Sequence, residues 1–158
     1  MTYKVFVDGQ EGTTGLQIHE RLAKRNDIEI LVIDPEKRKE SSERAKLINA
    51  SDITFLCLPD VAAKESVSLC SNTSTKIIDA STAHRTNPEF AYGLPELSNV
   101  LREKLKTSTR IANPGCHATG FLLGVSPLRQ VGILPSSSRL ACYSITGYSG
   151  GGKKLIAE

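Results

Sequence analysis

The sequence contains no tryptophan and only eight phenylalanine and tyrosine residues. Few aromatic side chains are therefore available to stack on nucleotide bases. The net charge of +3 comes from scattered lysine and arginine, with short clusters at 37–39 and 153–154 rather than a basic stripe. This composition argues against nucleic acid as a partner and suits a small anionic ligand better.

Long apolar runs are also missing. No segment approaches the roughly 20 apolar residues that a membrane-spanning helix needs, and the opening residues MTYKVFVDG lack the pattern of a secretory leader. With 39% hydrophobic and 23% charged residues, the composition is that of a soluble globular protein. We expect a cytoplasmic protein with no membrane partner, and 158 residues suffice for one full domain and part of a second.

Cysteine is present at four positions, but no CxxC pair and no histidine spacing typical of a metal site occur. We expect no bound metal, and reduced thiols in the cytosol. Cys57 in an apolar run, Cys70 in a predicted helix and Cys142 in a predicted strand fit the usual role of a buried small hydrophobic residue. Cys116 alone lies at a predicted helix start.

Apolar strands alternate with segments of helical spacing through the first 81 residues. Strands are predicted at 3–8, 28–33, 53–58 and 76–81, and helices at 16–25, 41–50 and 61–70. The strands are almost continuously apolar, which indicates a parallel sheet covered on both faces. This order predicts an α/β fold with a Rossmann-type, doubly wound, mostly parallel sheet.

The second half of the chain is less regular. Loops with a short helix near 98–106 are predicted first, followed by a strand at 110–113. A helix is predicted to begin just after Pro114 and to end or kink at Pro127. Residues 139–146 predict a strand outside the nucleotide-binding pattern, as the beginning of a truncated α+β domain.

Three glycines, Gly9, Gly12 and Gly15, form GxxGxxG between the first strand and the first helix. Glycines permit a tight turn and let backbone N–H groups approach a pyrophosphate, while the helix N-terminus adds partial positive charge. Thr13 and Thr14 supply hydroxyl donors. An ordinary strand-to-helix turn is the alternative, but the complete strand, loop and helix context favours a dinucleotide site.

The second strand is followed by groups that point to different cofactors. Asp34 has the spacing of an acidic residue that holds an adenosine ribose hydroxyl, which favours NAD. Lys37, Arg38 and Lys39 favour NADP, because a cation here pairs with the 2′-phosphate, although a solvated basic turn has the same pattern. Spacing alone leaves the choice open.

Cys116 stands in the segment NPGCHAT at 113–119, in the first turn of a predicted helix. The unpaired N–H groups and the dipole of a helix start favour the thiolate, which is the nucleophile that acyl transfer needs. A cysteine-dependent phosphatase uses the same placement, but its loop returns an arginine and residues 117–124 contain none.

No histidine in the sequence is a convincing general base for this cysteine. His117 is its immediate neighbour, about 100° away around the helix. His19 lies on a predicted surface helix, and His84, the better of the two, lies in a predicted loop.

Several segments together resemble the N-acetyl-gamma-glutamyl-phosphate reductases, and most closely the shorter of that family's two forms. They are the glycine loop, DASTAHR at 79–85, YGLPEL at 92–97, NPGCHAT at 113–119 and GYSGGG at 147–152. The related aspartate-semialdehyde dehydrogenases carry an asparagine where this sequence has Gly115. Gly115 and YGLPEL therefore favour the first family.

The resemblance implies an NADPH-dependent reductase of arginine biosynthesis that converts an acyl phosphate to a semialdehyde and releases phosphate. It assigns the nucleophile to Cys116 and places Ser149 and Gly150 near the nicotinamide and substrate, with a flexible glycine-rich turn as the alternative. Ser81, Arg85 and Asn113 are the predicted substrate contacts. An arginine fork matches phosphate or carboxylate oxygens, although a surface ion pair is an alternative role for this one.

The resemblance also implies a domain division. We expect an NADP-binding Rossmann domain over 1–115, and over 116–158 the cysteine helix with the start of an incomplete substrate domain. Family members are longer, and their catalytic histidine has no counterpart in residues 1–158. The expected partners are the small acyl phosphate, inorganic phosphate and, at full length, further copies of the protein. A nucleotide-binding module without catalysis, or an aspartate-semialdehyde-dehydrogenase-type enzyme, is the competing interpretation.

Overall fold

The computed structural model describes residues 2–10, 12–147 and 150. Its strands are β1 (Tyr3–Asp8), β2 (Ile28–Leu31), β3 (Ile53–Leu56), β4 (Lys76–Asp79), β5 (Ala91–Tyr92) and β6 (Arg110–Ala112). Its α-helices are α1 (Thr13–Leu22), α2 (Ser41–Ala50), α3 (Asp60–Leu69), α4 (Asn99–Thr107) and α5 (Cys116–Gln130), and Pro95–Leu97 form a short 3₁₀ helix.

The six strands form one sheet in the order β2-β1-β3-β4-β6-β5, and every neighbouring pair is parallel. The chain first builds outward from β1 to β2, then crosses back to place β3 on the other side of β1. The connections at the carboxyl ends of β1 and β3 therefore lead away in opposite directions, which leaves a crevice where such sheets bind ligands. The predicted Rossmann-type architecture is confirmed.

One face of the sheet is fully covered by α2 and α3. Phe6 of β1 packs with Ile48 of α2, while Leu56 and Ile77 of the next two strands pack with Ala63 of α3. All five side chains are shielded from solvent. Burying a large aliphatic or aromatic side chain contributes about 1.5–3 kcal/mol to the free energy of folding. Packing on this face therefore stabilises the strands whose ends form the crevice.

The opposite face is covered less completely. Leu22 of α1 lies beside Val5 and Phe55, so α1 packs on this side and the sheet is doubly wound. Phe55, Ile78 and Ile111 are nevertheless only half-buried. The cover on both faces that the apolar strands predict is thus complete on one face and partial on the other.

Three expectations about the second half of the chain need correction. Residues 139–146 form an irregular segment rather than a strand, and Tyr143 is 97% exposed. A strand needs a hydrogen-bonding neighbour, and none of the described strands pairs with this segment. Of the two effects predicted for Pro127, an end or a kink of the helix, the end is wrong, because α5 continues to Gln130. The short β5 lies in the stretch where loops are predicted, since two residues give no periodic signal.

Candidate functional site

The glycine loop is shaped by contacts that leave no room for side chains. Gly9 has φ +89°, and a Cβ there would lie 2.4 Å from the carbonyl oxygen of Cys57 on β3's outgoing loop. A Cβ on Gly15 would lie 2.4 Å from the carbonyl oxygen of Gly9. Gly12 caps α1, and its N–H donates to the Gly9 carbonyl at 3.1 Å. The predicted tight turn is therefore present, and it places α1's N-terminus at the crevice.

A cavity of about 500 Å³ opens beside this loop, between the ends of β1 and β3. Its walls come from the glycine loop, the turn after β2, α2, the loop after β3 and α3: Asp8, Gly9, Gln10, Gly12, Ile33, Arg38, Lys39, Arg44, Cys57, Leu58, Pro59, Ala62 and Glu65. The first turn of α1 carries no acidic residue, so its partial positive charge is available to an anion. The cavity lies where the strand order predicts a ligand.

The charged side chains after β2 do not all lie at the cavity. Arg38 and Lys39 line the cavity, whereas Asp34 is exposed and is not part of the cavity wall. The Asp34 carboxylate accepts a hydrogen bond from the Glu36 N–H at 3.0 Å, as in a turn that stabilises itself. The structure thus brings two basic side chains to the glycine loop and leaves the acidic one outside.

A buried ionic network closes the floor of the cavity. Arg44 of α2 and Asp8 of β1 are 6% and 5% exposed, and the Arg44 Nε donates to Asp8 Oδ2 at 3.1 Å. The hydroxyl of Ser66 donates to the same Asp8 oxygen at 2.7 Å, and Arg44 also bonds Ser66. Arg44 Nη1 donates to Glu65 at 3.1 Å. Because each buried charge has a partner, the Asp8 carboxylate lies beside the glycine-loop cavity without an uncompensated charge.

Sequence reasoning missed this network. Asp8 and Arg44 are 36 positions apart and Asp8 and Ser66 are 58 apart, so local periodicity cannot pair them. The available signal is weak: a carboxylate ends an apolar strand, and an arginine lies among residues of helical spacing. Because buried charges are rarely tolerated without a partner, a charged residue in an apolar segment indicates that an oppositely charged residue lies nearby in the fold.

Cys57 also faces this cavity but is held as a neutral thiol. Burial, with smaller contributions from the carboxylates of Asp8 and Asp79, raises the pKa of Cys57 to about 11. The interpretation of Cys57 as a structural residue fits this environment, because a protonated thiol is a poor nucleophile.

The end of β4 is built around the buried carboxylate of Asp79. Its Oδ2 accepts a hydrogen bond from the Ser81 hydroxyl at 2.7 Å and lies 2.6 Å from the Nδ1 of His84. The His84 ring stacks on Phe90 with centroids 4.3 Å apart. Ser81 and His84 are both buried. Ser81, considered for substrate binding, and His84, considered as a general base, therefore both bond the Asp79 carboxylate. Because the His84 Nδ1 faces Asp79, that nitrogen is not directed at Cys116.

Arg85 spans the ends of two neighbouring strands. Its Nε donates to the Asn113 carbonyl at 3.0 Å, and its Nη2 donates to the Ala80 carbonyl at 3.1 Å. Its guanidinium also lies beside Gly115, just before Cys116. The structure therefore brings the predicted substrate residues Arg85 and Asn113 together, next to the predicted nucleophile.

Cys116 is the first residue of α5, as predicted, and is exposed. It lines an open cleft of about 550 Å³ together with Cys142, Ser144, Thr146 and Gly150. His117 Nδ1 bonds the Ser144 hydroxyl across this cleft. Gly150 therefore lines the same cleft as Cys116, and its role near the nicotinamide and substrate stays a prediction. The companion prediction, Ser149, lies outside the described residues.

The prediction for Cys142 needs correction. The sequence predicts a buried residue within a strand, yet Cys142 is exposed and lies in the irregular segment that faces Cys116. Thr14 is exposed in the first turn of α1, and Thr13 opens that helix.

The glycine-loop cavity and Cys116 share one edge of the sheet. Asp8, Leu56, Asp79 and Ala112 form one register row at the carboxyl ends of β1, β3, β4 and β6. Three strand spacings separate the first from the last, or roughly 14 Å. A ligand that extends along this edge from the glycine loop reaches the strand that leads to Cys116.

Comparison with known proteins first gives the class. The family model described as "Semialdehyde dehydrogenase, NAD binding domain" matches residues 36–108. The crystal structure of aspartate semialdehyde dehydrogenase II from Vibrio cholerae, complexed with ASA, has a TM-score of 0.65 and 15% identity, covering 99% of this chain and 50% of that one. The structure of aspartate semialdehyde dehydrogenase from Francisella tularensis has a TM-score of 0.60 and 14% identity, covering 82% of this chain and 41% of that one. The fold is Rossmann-like and similar to that of these aspartate semialdehyde dehydrogenases.

The curated relatives point to one particular enzyme of this kind. N-acetyl-gamma-glutamyl-phosphate reductase 2 of a Nostoc species is 53% identical over 98% of this chain and 48% of its own length. The reductases of the same name from Chelativorans and Brucella abortus are 49% and 48% identical over 100% of this chain and 51% of theirs. These matches confirm the resemblance to the N-acetyl-gamma-glutamyl-phosphate reductases. The chain spans about half the length of the curated relatives it matches.

Proposed function

We propose that this chain is the cofactor-binding, cysteine-bearing part of an NADP(H)-dependent N-acetyl-gamma-glutamyl-phosphate reductase. The observation that carries the proposal is the shared sheet edge: a glycine-loop cavity at the switch point and a cysteine at the start of α5. Relatives about half identical over the whole chain bear that name. The division into an NADP-binding domain at 1–115 and a cysteine helix with the start of a substrate domain at 116–158 belongs to this proposal.

The described residues fit a dinucleotide. Side chains at Gly9 and Gly15 would collide with backbone atoms, and Gly12 leaves its backbone open to the cavity. We assign the pyrophosphate to this loop and to Thr13 and Thr14 at the start of α1. The Arg38 and Lys39 side chains in the cavity wall support NADP(H) over NAD(H), because a 2′-phosphate needs a cation partner.

The chemistry assigned to Cys116 is acyl transfer. Its thiolate attacks the carbonyl carbon of the acyl phosphate, the carbon–oxygen bond to phosphate breaks, inorganic phosphate leaves and a thioester remains. NADPH bound at the glycine loop would supply the hydride for reduction of this thioester. The resulting thiohemiacetal collapses to N-acetyl-glutamate 5-semialdehyde and frees the thiolate. N–H groups in the first turn of α5 are placed to stabilise the oxyanion.

The substrate residues stay predictions. Arg85 and Asn113 lie beside the loop to Cys116, and Gly150 lines its cleft, which supports roles near the substrate. The Ser81 hydroxyl donates to the Asp79 carboxylate, so we assign it the role of holding the loop that follows β4 in position.

The decisive assay is phosphate-dependent reduction of NADP⁺ with N-acetyl-glutamate 5-semialdehyde. We expect the Cys116→Ala variant to lose turnover and substrate-dependent labelling while keeping cofactor binding, because the cavity lies on other strands. Cys142→Ala is the matched control, since Cys142 is exposed in the same cleft. Cofactor binding without turnover or labelling in the unmodified chain would instead support a nucleotide-binding module.

The cofactor assignment has a separate test. Replacing Lys39 with glutamine is expected to weaken NADPH binding about tenfold, for a charge-assisted contact of roughly 1.5 kcal/mol, and to leave NADH binding unchanged. Lys37→Gln is the control, because Lys37 is a neighbouring cation that is not part of the cavity wall. Equal losses for NADPH and NADH would contradict a 2′-phosphate contact.

A further inference from the structure

Arg85 joins the two strands that precede Cys116. Ala80 directly follows β4 and Asn113 follows β6, and these strands are hydrogen-bonded neighbours. The Arg85 guanidinium donates to the carbonyl of each, at 3.1 and 3.0 Å. Two donors of a rigid fork therefore fix the separation of the two strand ends. The loop from Asn113 to Cys116 begins at one of these fixed points.

Gly115 is required by space rather than by backbone conformation. Its φ of −77° and ψ of 151° are extended values that any residue adopts. A Cβ at this position, however, would lie 2.8 Å from Nη1 of Arg85 and 3.4 Å from its Cζ. That guanidinium donates to its two carbonyl partners through Nε and Nη2, so moving Nη1 aside shifts the planar fork against both hydrogen bonds.

From these contacts we infer that Arg85 and Gly115 act as a pair that positions Cys116, a role that rests on the proposed function of that cysteine. Gly115 caps α5, and its carbonyl accepts the Thr119 N–H at 2.9 Å to close the first helical turn. A shift of Gly115 therefore moves the first turn of α5, which carries Cys116. Arg85 is a positioning residue in this inference: it acts through the loop and the helix start.

The pair makes a prediction that charge alone does not. Arg85→Lys keeps the positive charge but replaces the fork with a single ammonium group, which does not hold both carbonyls in the same geometry. Gly115→Ala keeps the arginine but displaces it. In an Arg85→Ala background the added methyl group at 115 meets no guanidinium, so the same substitution should have little further effect.

The experiment uses the full chain and the variants Arg85→Lys, Arg85→Ala, Gly115→Ala and the Arg85→Ala/Gly115→Ala double variant. Hydrogen exchange is measured in peptides covering 113–120 and, as a reference, the glycine loop at 9–16. Iodoacetamide alkylation of each cysteine is followed by mass spectrometry. Neither readout needs substrate, so failure of the pair is distinguishable from failure of the proposed reaction.

We expect each single variant to raise exchange at 113–120, with exchange at 9–16 unchanged. Alkylation of Cys116 should slow by roughly two- to fivefold, the size of a helix-terminus interaction with a charge. Protection of the partly buried Cys57 and Cys70 should not change, which separates repositioning from general loss of structure.

Three results would overturn the inference. Lysine at 85 behaving as arginine would mean that charge suffices. An equal effect of Gly115→Ala with and without Arg85 would mean that the two residues are independent. Faster exchange at 113–120 with an unchanged Cys116 alkylation rate would reduce Arg85 to a structural role.

Discussion

The glycine-loop cavity and the Cys116 cleft are built in different ways. The cavity is held by contacts between distant parts of the chain, above all the buried bonds of Asp8 to Arg44 and to Ser66. The cleft is formed by α5, none of whose residues is buried, and by the exposed segment 142–147. The difference teaches that the sheet and its helices hold the glycine-loop cavity, whereas the position of Cys116 depends chiefly on the short loop from β6 to α5, which lies beside Arg85.

The largest expected effect of breaking this contrast comes from Arg44→Gln. The substitution leaves the buried Asp8 carboxylate without its cation, and breaking a buried ion pair costs about 3–5 kcal/mol of unfolding free energy. Urea unfolding measures the loss. Lys46→Gln on the same helix is the matched control, because the exposed Lys46–Glu43 pair spans 3.9 Å and should contribute only a few tenths of a kcal/mol. Equal losses would contradict the network.

The next effect is expected at the glycine loop. A methyl group on Gly15 would lie 2.4 Å from a backbone oxygen, so the turn must shift. Gly15→Ala should cost about 1–3 kcal/mol, as overpacking does, and should weaken NADPH binding in a fluorescence titration. Unchanged binding would mean that the loop does not approach the pyrophosphate.

Cys57 provides a pH test of the cavity wall. An unfolded thiol ionises near pH 9, whereas burial raises the pKa of Cys57 to about 11 in the folded chain. Between these values the unfolded state binds fewer protons, so the free energy of unfolding falls as pH rises. The loss should reach at most about 2 kcal/mol, reduced because Cys57 is only partly buried.

Comparing unfolding at pH 8 and pH 11 in the unmodified chain and in Cys57→Ala isolates this contribution. Lysine and tyrosine titrate in both proteins and cancel in the comparison. Identical pH dependence in the two would show that the thiol is solvated.

The smallest effect is expected in α5. A Cβ on Gly120 meets nothing within 4 Å, so Gly120→Ala should stabilise the chain by about 0.5–1 kcal/mol through helix propensity. Thermal unfolding measures the gain. It is the counterpart of Gly15→Ala, since both glycines lie in helices but only one is enclosed. A loss instead of a gain would mean that α5 packs more tightly than its exposure indicates.

Local pattern was sufficient for much of this fold. The bounds of β1 and α2 agree with the predicted ranges, and the other early elements differ by a few residues at their ends. The glycine loop and the position of Cys116 at a helix start also follow from sequence. The prediction of a strand at 139–146 is wrong, because an alternating apolar segment forms a strand only when a neighbouring strand is there to pair with it.

The sequence by itself determined the order of strands and helices, the tight turn at Gly9 and the family resemblance, because these depend on residues adjacent in the chain. Only the tertiary structure decided which charges meet. It pairs Asp8 with Arg44, places Lys39 but not Asp34 in the cavity wall, and sets Arg85 against Gly115. Such pairings depend on strand order and on the register of parallel neighbours, and no local periodicity encodes which distant residues a crossover brings together.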